Sequence, residues 1–172
     1  MKRSAPIILT TILFLLMLSS GIMKAEPSIN AGTAESVLKL AGFEESFRNE
    51  SKDVTIYVMG APQIAEEFRK LKGHKIGKAT LKRIVEGKEL PEEKPDIYFI
   101  GDPTNLFPAI MYTRAENVLS ITNEVELVEK GACLGVSATV EGKKEIVLNL
   151  EASKEEERKW NQAIMKLARV VK

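Results

Sequence analysis

The apolar positions between residues 31 and 171 change period several times, and each change marks an element. Ala34, Val37, Leu38 and Ala41, with Phe47 near the end, recur at helical spacing and predict a helix over residues 31–48. After the polar break Asn49-Glu50-Ser51-Lys52-Asp53, the run Val54-Thr-Ile-Tyr-Val-Met59 is β-branched and apolar almost throughout. A strand with no polar alternation is one covered on both faces. Gly60 ends it. Pro62 opens a helix striped by Ile64, Ala65, Phe68 and Leu71, and Gly73 stops that helix. A second strand is predicted near residues 79–85, followed by the charged loop from Gly87 to Pro95. Asp96-Ile-Tyr-Phe-Ile100 reads as a short buried strand closed by Gly101. Asp102-Pro103 then supplies an N-cap and a first-turn proline for a helix marked by Leu106, Phe107, Ile110 and Met111.

The second half repeats the alternation. Asn117 to Thr122 is a strand, Asn123 caps a short helix through Glu129, and Gly131 ends it. Leu134–Val140 and Glu145–Leu150 are two strands joined at Glu141-Gly142-Lys143-Lys144, a hairpin turn. Ser153 and Glu156 have capping-box spacing, and Trp160, Ile164, Leu167, Ala168 and Val171 predict a final amphipathic helix. Buried strands alternating with helices give an α/β fold: a single-domain, Rossmann-like layered sheet over residues 31–172, mostly parallel, with helices on both faces and an antiparallel hairpin at its edge.

The first 25 residues do not belong to that pattern. Lys2 and Arg3 precede an apolar run from Pro6 to Leu18, and small residues follow at Ser19, Ser20, Gly21 and Ala25. This is the three-part plan of a secretory signal peptide, with cleavage after Gly21 or Ala25. The strongly apolar part is shorter than the roughly 20 residues of a spanning helix, which favours a cleaved signal over a retained anchor. The domain division is therefore a signal peptide at 1–25 and one exported domain.

Charge narrows the function classes. The 172 residues carry 25 basic and 24 acidic side chains. Removing Lys2, Arg3 and Lys24 with the signal leaves the mature chain near −2. A nucleic-acid binder carries a strong basic excess, so that class is set aside. One cysteine, Cys133, and one histidine, His74, exclude an internal disulfide and leave no Cys/His zinc set. No phosphate loop, dinucleotide fingerprint or nucleophile elbow is present. The reading is non-enzymatic, with no cofactor and no metal.

What remains are binding candidates. Gly60 and Gly101 each sit at a strand-to-helix turn, where open α/β sheets often take ligands, and with Asp102 they form a candidate small-ligand pocket. The plainer reading is that the glycines make tight turns and Asp102 caps a helix. Glu155-Glu156-Glu157 beside Arg158 and Lys159 reads as a solvated helix face. His74 reads as an exposed loop residue. Lys78, Lys82 and Arg83 belong to a locally basic stretch suited to an acidic partner. Trp160, the sole tryptophan, lies among charged residues as a core-edge anchor and a natural interface hot spot. Asn149 and Leu150, near the final helix, are further candidate contacts.

Three stretches in this order resemble the YfiR/HmsC-like family of small periplasmic proteins. They are Val54 to Gly60 with the following Leu71-Lys-Gly-His-Lys-Ile-Gly-Lys78, then Pro95-Asp-Ile-Tyr-Phe-Ile100, and then Val118 to Asn123 with Gly131, Ile146-Val-Leu-Asn-Leu150 and Ile164 to Val171. The resemblance covers residues 34–171. It implies a regulator that binds the periplasmic sensory domain of a membrane-bound diguanylate cyclase or histidine kinase, tuning cyclic-di-GMP and biofilm output. It implies contact with the membrane only through that partner, and leaves room for a second copy of the chain as another. The chain departs from the family's pattern in places. Asp96 stands where several relatives carry a cysteine, and Cys133 has no partner in the chain. Glu45-Ser-Phe-Arg-Asn49 replaces a tryptophan-proline pair, which points to a different partner surface there. The second function class is an accessory protein binding a small ligand at Gly60, Gly101 and Asp102.

Overall fold

The computed structural model describes residues 28–138 and 143–172. The expected signal peptide, Thr139, Val140 and the first half of the expected hairpin turn lie outside them. In chain order the elements are α1 (Ile29–Ala41), α2 (Glu45–Asn49), β1 (Asp53–Met59), α3 (Pro62–Lys70), β2 (Lys75–Ile76), β3 (Ala79–Gly87) and β4 (Ile97–Ile100). A 3-10 turn (Pro103–Asn105) leads into α4 (Leu106–Glu116), β5 (Leu119–Thr122), α5 (Glu126–Glu129), β6 (Leu134–Ala138), β7 (Lys144–Asn149) and α6 (Leu150–Glu155). A second 3-10 turn (Gln162–Lys166) precedes β8 (Arg169–Val171).

The strands form one sheet in the order β2-β3-β1-β4-β5-β6-β7-β8. The run from β3 through β6 is parallel, and its central strands β4 and β5 are buried throughout, as strands covered on both faces are. β2–β3 and β6–β7 are antiparallel pairs. The expected mostly parallel layered sheet is therefore present, as one domain.

Alternate residues of each strand feed two layers. Val54, Ile56 and Val58 of β1, with Ile97 and Phe99 of β4 and Leu119 and Ile121 of β5, meet Val37, Leu38, Ile64 and Phe68 of α1 and α3. Phe68 and Phe99 pack edge to face at 5.7 Å, an arrangement worth about 1 kcal/mol beyond its buried area. On the opposite face Tyr57, Met59, Tyr98 and Ile100 meet Ala109 of α4 and Leu127 of α5. Tyr98 sits between Tyr57 and Tyr112, at 5.1 and 5.8 Å. Burial pushes its phenol up, out of the range in which it ionises in water.

Five expectations are corrected. Asn123 does not cap α5, whose N-cap is Val125 with no side-chain bond. The helix over 31–48 is two helices, because Gly42 ends α1 and the Glu44 carboxylate caps α2, accepting from the Ser46 and Phe47 amides. The capping box at Ser153 and Glu156 does not form: Asn149 caps α6, and Ser153 lies inside it, donating to the Asn149 carbonyl. The final helix is absent. α6 stops where Glu157 takes a left-handed conformation (φ 56°), and Asn161 starts a new turn by accepting from the Ala163 amide. The apolar residues then serve separately: Ile164 is fully buried, whereas Val171 joins β8 and pairs with Asn149 of β7. As a result β8, lying parallel to β7, occupies the edge expected for the hairpin. Finally, Glu156 is completely buried, so the acidic run at 155–157 is not a solvated face.

Candidate functional site

The first β-strand is followed on one side by β3 and on the other by β4, so β1 and β4 flank the point where the strand order reverses. Ligands of open α/β sheets gather in that crevice. Here Gly60, Gly101 and Asp102 are indeed brought together there, and they pack directly on one another. A Cβ on Gly60 would lie 2.3 Å from the Asp102 Cβ, and one on Gly101 would lie 2.3 Å from the Ala61 Cβ. Asp102 also caps its 3-10 turn: Oδ1 accepts from the Thr104 amide at 2.9 Å and its hydroxyl at 2.6 Å, and Oδ2 accepts from Asn105 Nδ2 at 3.3 Å. The Thr104 bonds hold this carboxyl below its usual range. Asp102→Ala is expected to lower the urea midpoint modestly, through loss of the cap on its 3-10 turn.

The basic candidates sit on the sheet's β2–β3 side. Lys78 lies in the β2–β3 turn, its amide donating to the Phe47 carbonyl. Lys82 faces Asp53 at 3.9 Å, and Arg83 pairs with Glu93. Arg83 also lines a cleft of about 570 Å³ over β1 and β3, walled by Thr55, Tyr57 and Val85 and by the loop with Leu90, Pro91 and Pro95. Acidic partners within the chain therefore engage two of the three cations.

Trp160 stands in the wall of a larger open cleft of about 730 Å³. The opposing wall is α2 with Glu44, Glu45, Ser46, Asn49 and Glu50, and the floor includes Leu150, Ser153 and Met165. Two backbone bonds staple the walls: the Glu45 amide donates to the Lys159 carbonyl at 2.8 Å, and the Asn161 amide to the Phe43 carbonyl at 2.9 Å. The indole N–H donates to Ser153 Oγ at 3.0 Å. Ser153 passes its own hydrogen to the Asn149 carbonyl at 2.6 Å. The Cys133 thiol, 3.1 Å from the same oxygen, is then the donor to it, and burial holds that thiol well above its normal range. Trp160 is thus half-buried and fixed by a chain of hydrogen bonds.

Leu150 and Trp160 share this cleft. Asn149 is buried beneath it, its Nδ2 donating to the Val128 carbonyl at 2.8 Å and its Oδ1 accepting from the Ala152 amide at 2.9 Å. It supports the cleft from within. The α2 wall carries the stretch, residues 45–49, whose departure from the family pattern was the one sequence signal for it. Lys154, Arg158 and Lys159 add cations opposite Glu45 and Glu50, so the surface is mixed in charge. Among the described residues no three His, Cys, Asp or Glu side chains stand as a metal-binding group. Among them, too, no helix is long and apolar enough to cross a membrane.

A family model described as YfiR/HmsC-like matches residues 31–169. The chain belongs to the YfiR/HmsC-like family. No curated protein matches it. The fold is similar to the crystal structure of a conserved domain protein from Vibrio cholerae O1 biovar El Tor str. N16961, with a TM-score of 0.54 and 15% identity. That likeness covers 84% of this chain and 60% of the Vibrio chain, and it bears on the fold alone. Within this YfiR/HmsC-like domain, then, the turns after β1 and β4 pack closely on each other at the switch point, and a separate open cleft lies around Trp160.

Proposed function

We propose that the protein is an exported, non-catalytic regulator that docks through the Trp160 cleft onto the periplasmic sensory domain of a membrane-bound signalling protein, a diguanylate cyclase or histidine kinase. The observation that carries this reading is a sole tryptophan, half-buried and hydrogen-bonded in place, on the wall of an open cleft with charges of both signs. A preorganised aromatic side chain loses little freedom on binding, and such residues dominate interface energies. Membership of the YfiR/HmsC-like family agrees with a periplasmic regulatory role. Regulation requires unequal affinity for the partner's two states: a protein that favours the inactive conformation represses cyclic-di-GMP or kinase output, and one that binds both equally does nothing.

Co-purification of the mature chain with the sensory domain encoded beside it tests the reading. Trp160→Ala is expected to weaken that complex by about tenfold or more. Arg83→Ala, on the separate cleft, is expected to leave it unchanged. Undiminished binding by a folded Trp160→Ala protein would contradict the assignment. A second reading, accessory binding of a small ligand, draws on the cleft beside Arg83, where apolar Val85, Leu90 and Pro91 meet polar Thr55 and Tyr57. Saturable binding of a small molecule lost in Arg83→Ala alone would favour it.

A further inference from the structure

Next to the residues that line the Trp160 cleft lies a buried carboxyl group that makes no salt bridge among the described residues. Glu156 is at the end of α6, with no exposure to solvent. Its Oε1 lies 2.8 Å from Thr113 Oγ1 on α4, and its Oε2 accepts from the Ser120 amide on β5 at 2.9 Å. The nearest cation, Arg158, spends its hydrogen bonds elsewhere: Nε donates to the Glu156 carbonyl and Nη2 to the Asn117 carbonyl, each at 2.7 Å. Arg114 of α4 pairs with Glu155 at 2.6 Å. Just before β6 the nearby titratable group is the Cys133 thiol, which stays protonated.

Counting hydrogens decides which form this site suits. Thr113 Oγ1 has one hydrogen and two acceptors in reach, Glu156 Oε1 and the Ile110 carbonyl at 3.1 Å. When Glu156 carries a proton, its O–H donates to Thr113, Thr113 donates to Ile110, and Ser120 still donates to Oε2. Every group is satisfied and no charge is buried. When Glu156 is ionised, Thr113 must turn back to it, and a full buried charge rests on the Thr113 hydroxyl and the Ser120 amide and hydroxyl, with Arg158 as the cation that favours it; burial outweighs all of these. An ion in that position is costly, and exposure to water relieves it.

We propose that Glu156 is a proton-operated latch on the cleft: neutral, it holds the Glu157–Trp160 wall closed against the sheet, and ionised, it loosens that wall. The covalent path is short. Glu157, Arg158, Lys159 and Trp160 follow directly and all line the cleft. Glu157 already sits in a left-handed conformation, which a non-glycine residue keeps only under constraint. Loss of the Glu156 anchor removes that constraint. Burial raises the Glu156 carboxyl to about 7, inside the range an exported protein meets. The consequence for docking rests on the function proposed above, whereas the latch itself does not.

The test uses the full mature protein and no partner. Trp160 is the sole tryptophan, so its fluorescence reports on the wall directly. A pH titration from about 5.5 to about 8.5, spanning the displaced carboxyl, is expected to show one emission change with a midpoint near 7. Glu156→Gln, whose amide can accept from Ser120 and donate to Thr113 as the neutral acid does, is expected to remove the change. His74→Gln, removing the sole histidine, is expected to retain it. A second measurement needs no variant: the carboxylic-acid carbonyl stretch of the wild type should disappear in infrared difference spectra with the same midpoint. A flat wild-type titration, no loss of that band, or an unchanged midpoint in folded Glu156→Gln would overturn the latch. A fluorescence titration as expected, combined with partner affinity indifferent to pH, would leave the latch standing and count against the docking face.

Discussion

Bringing the pH down from about 8 to about 5.5 is expected to stabilise the folded domain by about 2 kcal/mol through Glu156 alone. The folded state holds this carboxyl at about 7, against 4.5 for the unperturbed group. Between those values the native state binds a proton that the unfolded chain releases, so acid favours folding there. The contribution is fully present below the unfolded value and is lost as pH rises through about 7. This is opposite in sign to the usual carboxylate, which is paired when folded and fails in acid. The displaced tyrosines titrate above the window, as does Cys133, and Asp102 titrates below it. Urea denaturation at the two pH values measures the difference, and Glu156→Gln should nearly abolish it. An equal pH slope in wild type and Glu156→Gln would assign the effect to some other group.

Gly60→Ala is expected to lower stability by about 3 kcal/mol or more. Two costs combine. Gly60 has φ +72°, where a Cβ alone costs about 1–2 kcal/mol. The new Cβ would also stand 2.3 Å from the Asp102 Cβ and 3.0 Å from the Asp102 amide nitrogen. Those atoms are part of the backbone turn or attached to it, so no rotamer change clears them. The turns after β1 and β4 must separate, which strains the bond from the Gly101 amide to the Met59 carbonyl, now 2.8 Å. Gly73 supplies the comparison: its φ is +91°, but nothing lies within 4 Å of its Cβ position. Gly73→Ala should therefore lose only the conformational part. Equal losses in the two variants would show that contact between the turns is unimportant.

The centre of the sheet was legible in the chain because β1 and β4 are buried on both faces. Val54–Met59, apolar but for Thr55, and Ile97–Ile100 need no partner to be recognised, and glycine closes each. The ends of the sheet were not. β8 has only Arg169, Val170 and Val171, and its apolar residues fell at helical spacing with Trp160 and Ile164. Asn161 was the available sign that the helix breaks, because a capping residue there starts a new turn. Glu156 was hidden for a similar reason: flanked by Glu155 and Glu157, it has the local look of a charged surface, and its burial comes from Thr113 and Ser120, more than 30 residues away. Of the candidate site, Trp160 and Leu150 could be read directly. The opposing α2 wall depends on a pairing of residues 43–45 with 159–161 that no local pattern encodes.

The most direct test of a regulator that works by docking is the partner's own output. Membranes carrying the full-length signalling protein would be assayed for cyclic-di-GMP synthesis, or kinase autophosphorylation, with increasing amounts of the mature chain. Wild-type protein is expected to lower the output saturably, and folded Trp160→Ala to need about tenfold or more protein for the same effect. Output unchanged while the wild-type chain is bound at saturation would contradict the account.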